Sequence, residues 1–331
     1  MKSGCSAQRP HGVSLIELMV GLTLGLIVVL VAGSMFVGSS QASRTTAALG
    51  SSQETARNAF ELIARDLREA GGTPCDNRLL VANVLNNAQA APATWWADWN
   101  QPLQGFDGAT AFPGAAFGTG VGDRVAGTGA VIGKYVADLT DLTVVAHDVA
   151  SAQFTVNNNP PRARAGDLLM VCHYGQAAVL QASAVGAGTI DHAKSAAVSG
   201  NCSRGLGIPT LCTATGTSYT FAPGSKIGRF AAVGWYVGNN GRAETGGRSL
   251  YRVTRNGAEE VAEGIQDLQL EFLSAGGTAY SNAAGVADWD EVVAVRIALT
   301  LRSAQANVST QAGGRLERPV NFTLFVRNRQ P

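Results

Sequence analysis

The 331-residue chain is poor in charge, at 15% Asp, Glu, Lys and Arg, and its 25 basic and 24 acidic side chains leave a formal net charge of +1. The basic residues are mostly arginines scattered singly, and no compact Lys/Arg run makes the electrostatic footprint that a phosphate backbone demands, which excludes a nucleic-acid binder. Histidine is scarce, with four in all. No nucleophile motif surrounds His147, His173 or His192, and no G-x-S-x-G, P-loop or H-E-x-x-H string occurs, so the sequence gives no reason to expect an enzyme or a cofactor. No Cys-x-x-Cys or His-x-x-x-His spacing exists either, and His173 beside Cys172 is a poor metal pair because adjacent side chains diverge.

Proline is absent from Val13 to Ala70, and between Val13 and Val37 the only charge is Glu17. An apolar run of that length, at 1.5 Å per residue, spans the roughly 30 Å hydrocarbon core with some tilt. The competing reading is a cleaved secretory signal whose cut site would lie near the small residues Ala32 and Ser34, but the run exceeds the usual hydrophobic region of such a signal. Lys2 and Arg9 precede the run and the next basic residue is Arg44, which favours a short cytoplasmic N-terminus and an exported bulk. A carboxylate within a membrane span costs about 2.5 to 3.5 kcal/mol even on lenient scales and is functional by default, so Glu17 needs a partner. Gly21 and Gly25 stand at the small-x-x-x-small spacing that lets helices approach closely.

Beyond the run, Leu49, Ala56, Phe60, Ile63, Leu67 and Ala70 recur every three to four residues, one apolar stripe of a helix. Glu54, Arg57, Glu61, Arg65, Asp66, Arg68 and Glu69 are assigned to the solvated face, and Gly71, Gly72 and Pro74 supply the stop. Span and amphipathic segment then form one continuous rod, whose stripe seats a globular domain. After Cys75 the helical period disappears. "DLLMVCHY", "AAVLQASAV", "RFAAVGWYV", "SLYRVT", "DLQLEFL", "EVVAVRIALTLRS" and "VNFTLFVRN" read as strands, with turn chemistry in "GNNGR" and "RNG" that favours antiparallel neighbours. The middle portion, from about Asn77 to Pro161, reads as loops with short strands. The fold class is therefore α+β, a long N-terminal helix packed on a largely antiparallel sheet domain. Its divisions are 1–12 as a leader, 13–37 as the membrane half of the helix, 38–72 as its amphipathic half and 73–331 as the exported β-rich domain.

Five cysteines, at positions 5, 75, 172, 202 and 212, leave an even set of four if Cys5 departs with a leader, as suits an oxidising compartment. Cys202 and Cys212 enclose a short loop whose glycines and proline let its ends meet, which favours that pair and, by elimination, Cys75 with Cys172. A closure of about ten residues contributes roughly 2 to 3 kcal/mol on the loop-entropy account. Trp95, Trp96 and Trp99 in "TWWADWN" are either a partner surface or a lid on the sheet. Asp288, Asp290 and Glu291 in "ADWDE" lack the spaced oxygen ligands of a calcium loop and read as a solvated turn.

A glycine followed five residues later by a glutamate, at the head of an apolar helix, becomes intelligible if the chain is cut after the glycine. Cleavage between Gly12 and Val13 frees an α-amine, largely cationic at neutral pH with a reference pKa of about 7.7 to 8.0, for which Glu17 is the counter-ion. "GVSLIELMVGLTLGL" resembles the class III signal of type IV pilins and pseudopilins. That resemblance implies prepilin peptidase cleavage after Gly12, N-methylation of Val13, and Glu17 as the carboxylate needed for methylation and docking into a filament. "LIARDLREAGG", "QPLQGFDG", "GNCSRGLGIPTLC", "GWYVGNNGR", "SLYRV", "EGIQDLQLEF" and "FVRNR" resemble successive blocks of the PilW family of minor pilins. The family implies an inner-membrane subunit that joins other minor pilins and the major pilin in a tip complex, carries an adhesin, meets the prepilin peptidase and the assembly platform, and supports adhesion and twitching motility. The alternatives are a J-like pseudopilin of type II secretion, which shares signal, rod and sheet, and a bitopic anchored binding domain that never polymerises.

Overall fold

The computed structural model describes residues 14–75, 79–90, 93–159, 161–309 and 314–329. Helix α1 runs from Leu15 to Arg68, 54 residues without a break, or about 81 Å at 1.5 Å per residue. Ser14 caps its start and Glu69 its end, after which Gly71 takes the left-handed conformation (φ 77°) that turns the chain toward the sheet. The first half is exposed all round, with Leu15 to Val37 open to the surroundings. The second half buries Ala56, Ala59, Phe60, Ile63, Ala64 and Leu67 on one face, while Leu49 is only partly covered.

Among the described residues fourteen strands follow. Eleven join in one sheet, with β1 (Val81–Asn83), β2 (Leu103–Phe106), β3 (Ala130–Asp148), β4 (Gln153–Val156), β5 (Leu168–Cys172), β6 (Ala177–Gln181), β7 (Ala184–Gly186), β8 (Thr189–Asp191), β9 (Lys226–Asn239), β10 (Arg248–Thr254) and β11 (Gly257–Glu263). Its main path runs β1-β6-β5-β9-β3-β4-β8-β7, with β2 beside β3 and the hairpin β10–β11 beside β9. β12 (Ile265–Ser274), β13 (Val292–Arg302) and β14 (Glu317–Phe325) form a second, three-stranded sheet. All pairings are antiparallel except β1 with β6. Every segment read as a strand from the sequence overlaps a strand, with "AAVLQASAV" covering β6 and entering β7, and "VNFTLFVRN" running past the end of β14.

The expectation of loops and short strands up to Pro161 misses β3, which at 19 residues is the longest strand. Ala130 to Lys134 and Val136 are buried whichever face they occupy, so the segment lacks the alternation that identifies a half-buried strand. Lys134 in its middle, 3% exposed, disguises the run further. Its Nζ donates to the Asp98 carbonyl at 2.6 Å, and burial pulls its pKa down to about 8.

β9 shows how one strand serves two cores. Val233, Trp235 and Val237 join α1 and the second sheet, whereas Phe230 and Tyr236 face a cluster containing Met170, Val179 and Phe112. A third cluster, with Phe154, Ile190 and Phe221, lies under β4 and β8. α1 seats on β3 at Gly133, where a Cβ would stand 3.2 Å from Leu67 Cδ2 and 3.3 Å from the Asp66 carbonyl oxygen. Phe60 stacks on Phe322 of β14 with ring centres 4.3 Å apart, clamping the helix to the second sheet. Asp107, in the "QGFDG" stretch, accepts the N–H groups of Ala283 and Ala284 and so ties the two sheets together. Disulfides join Cys75 to Cys172, linking the end of the rod to β5, and Cys202 to Cys212, closing the loop before β9.

Candidate assembly site

Gly12 and Val13, the residues on either side of the expected cut, lie outside the described residues. The next three turns are described and show what Glu17 does. Ser14 is the N-cap, its hydroxyl accepting the Ile16 N–H at 3.4 Å, and Glu17 reaches back so that its Oε2 accepts the Ser14 N–H at 3.1 Å. This is a capping box, which satisfies donors left over at a helix start. The carboxylate is thereby held at the positive end of the helix dipole, one peptide along the chain from the nitrogen of Val13.

The rest of the span has no unmet polar side chain to deter lipid. Thr23 Oγ1 donates to the carbonyls of Met19 and Val20, and Ser34 Oγ to that of Val31. A Cβ added at Gly21 or Gly25 would meet nothing within 4 Å, so both glycines open onto the free helix surface. The geometry of this end is an apolar rod with a carboxylate fixed at its tip. It can insert in a bilayer or bundle with similar rods, and it offers no cleft for a substrate.

The other end carries a group that sequence reasoning misplaced. Asp66, assigned above to the solvated face of α1, is completely buried. Its Oδ1 accepts Tyr135 Oη–H at 3.1 Å, and its Oδ2 accepts Trp235 Nε1–H at 3.1 Å and Arg252 Nε–H at 3.2 Å. One carboxylate thus binds the helix to β3, β9 and β10. Burial and the adjacent Asp66 charge push the Tyr135 phenol up to about 12. Burial pulls the Arg252 guanidinium down, but Asp66, with Tyr135 and Glu259, together more than offset it and leave the guanidinium above its ordinary value. A signal was present in the sequence, because residue 66 stands three after Ile63 and four before Ala70, inside the apolar stripe.

Two further candidates resolve differently. Trp95 and Trp96 are each 7% exposed and Trp99 is partly buried, with Trp99 edge-on to Phe230 at 5.5 Å and Trp95 against Phe112 at 6.5 Å. The reading of Trp95, Trp96 and Trp99 as a partner surface is therefore corrected: they lid the sheet, because the face of β3 and β9 beneath them is apolar. Asp288 caps the 3-10 turn Trp289–Glu291 by accepting the Asp290 N–H at 2.8 Å. Among the described residues, no three His, Cys, Asp or Glu side chains gather as metal ligands would.

Comparison with known proteins adds two matches. Residues 8–33 match the prokaryotic N-terminal methylation motif, which brackets Gly12, Val13 and Glu17. Residues 235–322 match the family described as type IV pilus-assembly protein W. That second stretch runs from the end of β9 into β14 and contains Trp235 and Arg252, two of the three side chains that hold Asp66. No curated protein and no solved structure matches the chain. Both matched families belong to pilus assembly and structure rather than to enzymes. The chain is thus similar to the type IV pilus-assembly protein W family over its C-terminal strands, and to the N-terminal methylation motif around the tip of its lipid-compatible rod.

Proposed function

We propose that the chain is a noncatalytic, inner-membrane subunit that is cut after Gly12, methylated at Val13, and drawn into a pilus through its rod. In this reading the span keeps a short cytoplasmic N-terminus and a periplasmic head, and after assembly the head lies on the fibre. The observation that carries it is the position of Glu17: the carboxylate caps the first turn of an exposed apolar rod by accepting the N–H of Ser14, the residue that follows Val13 in the sequence. Two outlets for its charge then compete. Within one subunit Glu17 serves the Ser14 N–H; between subunits it pairs with a neighbour's Val13 amine and fixes the axial register of rods whose remaining contacts are greasy and nondirectional.

The match to a pilus-assembly family supports a pilus over a secretion system. We place the subunit with other minor pilins in a tip complex that primes polymerisation of the major pilin, presents an adhesin and supports adhesion and twitching. The test is N-terminal sequencing of the protein from cells with and without prepilin peptidase, together with Glu17→Gln. The expected mature terminus is N-methylated Val13, and Glu17→Gln is expected to be cut normally while surface pili and twitching are lost. An intact Met1, a cut beyond Ala32, or normal piliation by Glu17→Gln would refute the reading.

A further inference from the structure

His147 on β3 and His192 just after β8 face each other through their Nε2 atoms at 3.0 Å. His192 is completely buried, and His147 is partly buried, with the ring of Phe154 4.3 Å from His147 and 4.8 Å from His192, and Phe221 beyond. The Phe221 N–H donates to His147 Nδ1 at 3.1 Å. That bond fixes the protons. His147 Nδ1 must be bare, so its hydrogen sits on Nε2 and points at His192; His192 Nε2 must accept it, so its own hydrogen sits on Nδ1, a buried atom with no partner.

Every bare nitrogen of the pair therefore already faces a donor hydrogen. A third proton can enter only at His147 Nδ1, against the Phe221 N–H, or at His192 Nε2, against the His147 N–H. Either entry breaks a hydrogen bond and leaves a cation among phenyl rings. A metal does not fit the same atoms, because a ligating imidazole keeps a hydrogen on its other nitrogen and His147 Nδ1 is an acceptor. The charged and titratable groups around the pair are Asp148 on β3, Asp191 on β8, Lys194 after it, and Arg204 and Tyr219 in the segment before β9; β4 adds none. They are engaged elsewhere or make no bond to the rings: Asp148 accepts the Ala150 and Ser151 N–H groups, Asp191 accepts Gln153, and Arg204 donates to the Ala150 carbonyl.

We propose that His147 and His192 form an acid-released latch, which ties β3 to the end of β8 and to the loop at Phe221 while both rings are neutral and frees them when either ring takes a proton. Burial pushes His147 down to about 4, against the opposing pull of Asp148, and burial with the neighbouring His147 pushes His192 down to about 3. Both values lie below the ordinary histidine value, so the open state binds more protons than the closed one. The latch is whole above about pH 6.5 and weakens as pH falls from there toward about 4. Opening would uncover Phe154 and Phe221, each now 1% exposed, and change the surface the head offers in acid surroundings.

The test is hydrogen exchange on the full chain in detergent micelles, with protection corrected for the intrinsic effect of pH. From pH 6.5 to 4.5 the opening constant of residues 147–156, 189–192 and 221 is expected to rise at least about a hundredfold, tenfold per pH unit for each coupled proton. Protection of β12 to β14 is expected to stay flat. His192→Gln, whose amide oxygen can still accept from His147, should lose one proton from the slope, and His147→Gln with His192→Gln should lose the pH dependence. Unchanged wild-type protection across the range, an equal loss in β12 to β14, a full slope in His192→Gln, or added zinc or copper protecting the segment at pH 7 would each overturn the latch.

Discussion

Removing the Asp66 carboxylate tests whether the rod is locked to the head by one buried group. Asp66 accepts three hydrogen bonds, from Tyr135, Trp235 and Arg252, and all three donors lie in the sheet while Asp66 lies on the helix. Asp66→Ala strands the Trp235 and Arg252 donors, and deletion of one member of such a buried charged group costs about 3 to 5 kcal/mol. Asp66→Asn is the discriminating variant. Its amide nitrogen can face the Tyr135 hydroxyl, which turns round to accept, while its oxygen still takes Trp235 and Arg252. Only the charge is lost, and Arg252 keeps Glu259 at 3.4 Å, so about 1 to 2 kcal/mol is expected. Urea unfolding of the full chain in a mild detergent, followed by tryptophan fluorescence and fitted with a common slope, measures both variants. A loss below about 1 kcal/mol for Asp66→Ala, or equal losses for the two variants, would refute the claim that the charge-assisted bonds join the layers.

Lys134 should behave in the opposite sense. Its amine is 3% exposed with a pKa pulled down to about 8, a penalty of about 3 kcal/mol at neutral pH against about 1 kcal/mol for its bond to the Asp98 carbonyl. Lys134→Met is expected to stabilise the head by about 1 to 2 kcal/mol in urea, and the wild-type deficit should fade as pH rises from 8 toward 10.5; a destabilised Met variant would count against this. Tyr135, raised to about 12 by burial and then by Asp66, holds its proton more tightly folded than unfolded, so its share of stability is intact below pH 10 and disappears as pH climbs through 12. Tyr135→Phe should flatten that alkaline loss in a pH series of thermal melts, leaving the portion due to Tyr236 and Tyr251, whose phenols are also raised by burial. Replacing Cys75 and Cys172 with alanine opens a 97-residue separation and should cost about 4 to 5 kcal/mol, against about 2 to 3 kcal/mol for the 10-residue separation of Cys202 and Cys212. Equal losses in the two double variants would show that chain entropy does not set the difference.

What the sequence made legible at each end of the molecule follows from what each solvent demands. Lipid imposes composition on every residue it touches, so a span announces itself and a lone carboxylate within it is conspicuous; Glu17 could be singled out from its neighbours alone. The strands of the head that read as alternating or short continuous apolar segments were equally legible. β5 and β6, buried almost throughout, read as short continuous apolar runs, whereas β3 is interrupted by Gly133, Lys134, Asp138 and Asp141 and escaped notice despite its 19 residues. Asp66 and the His147–His192 pair were hidden for a different reason. Their meaning lies in partners 69, 169 and 186 residues away for Asp66 and 45 residues away for the histidines, and no local period encodes such distances. A polar residue inside an apolar stripe is nevertheless a question with a physical answer, since burying an unpaired carboxylate costs more than the stripe around it can offset. Asp66 at the spacing of Ile63 and Ala70 therefore demanded donors from elsewhere in the chain, whereas Glu17 finds one in the Ser14 N–H of its own first turn. The two carboxylates mark the two ends of one rod: one is satisfied by the chain's own sheet, and the other caps the first turn of an exposed helix tip.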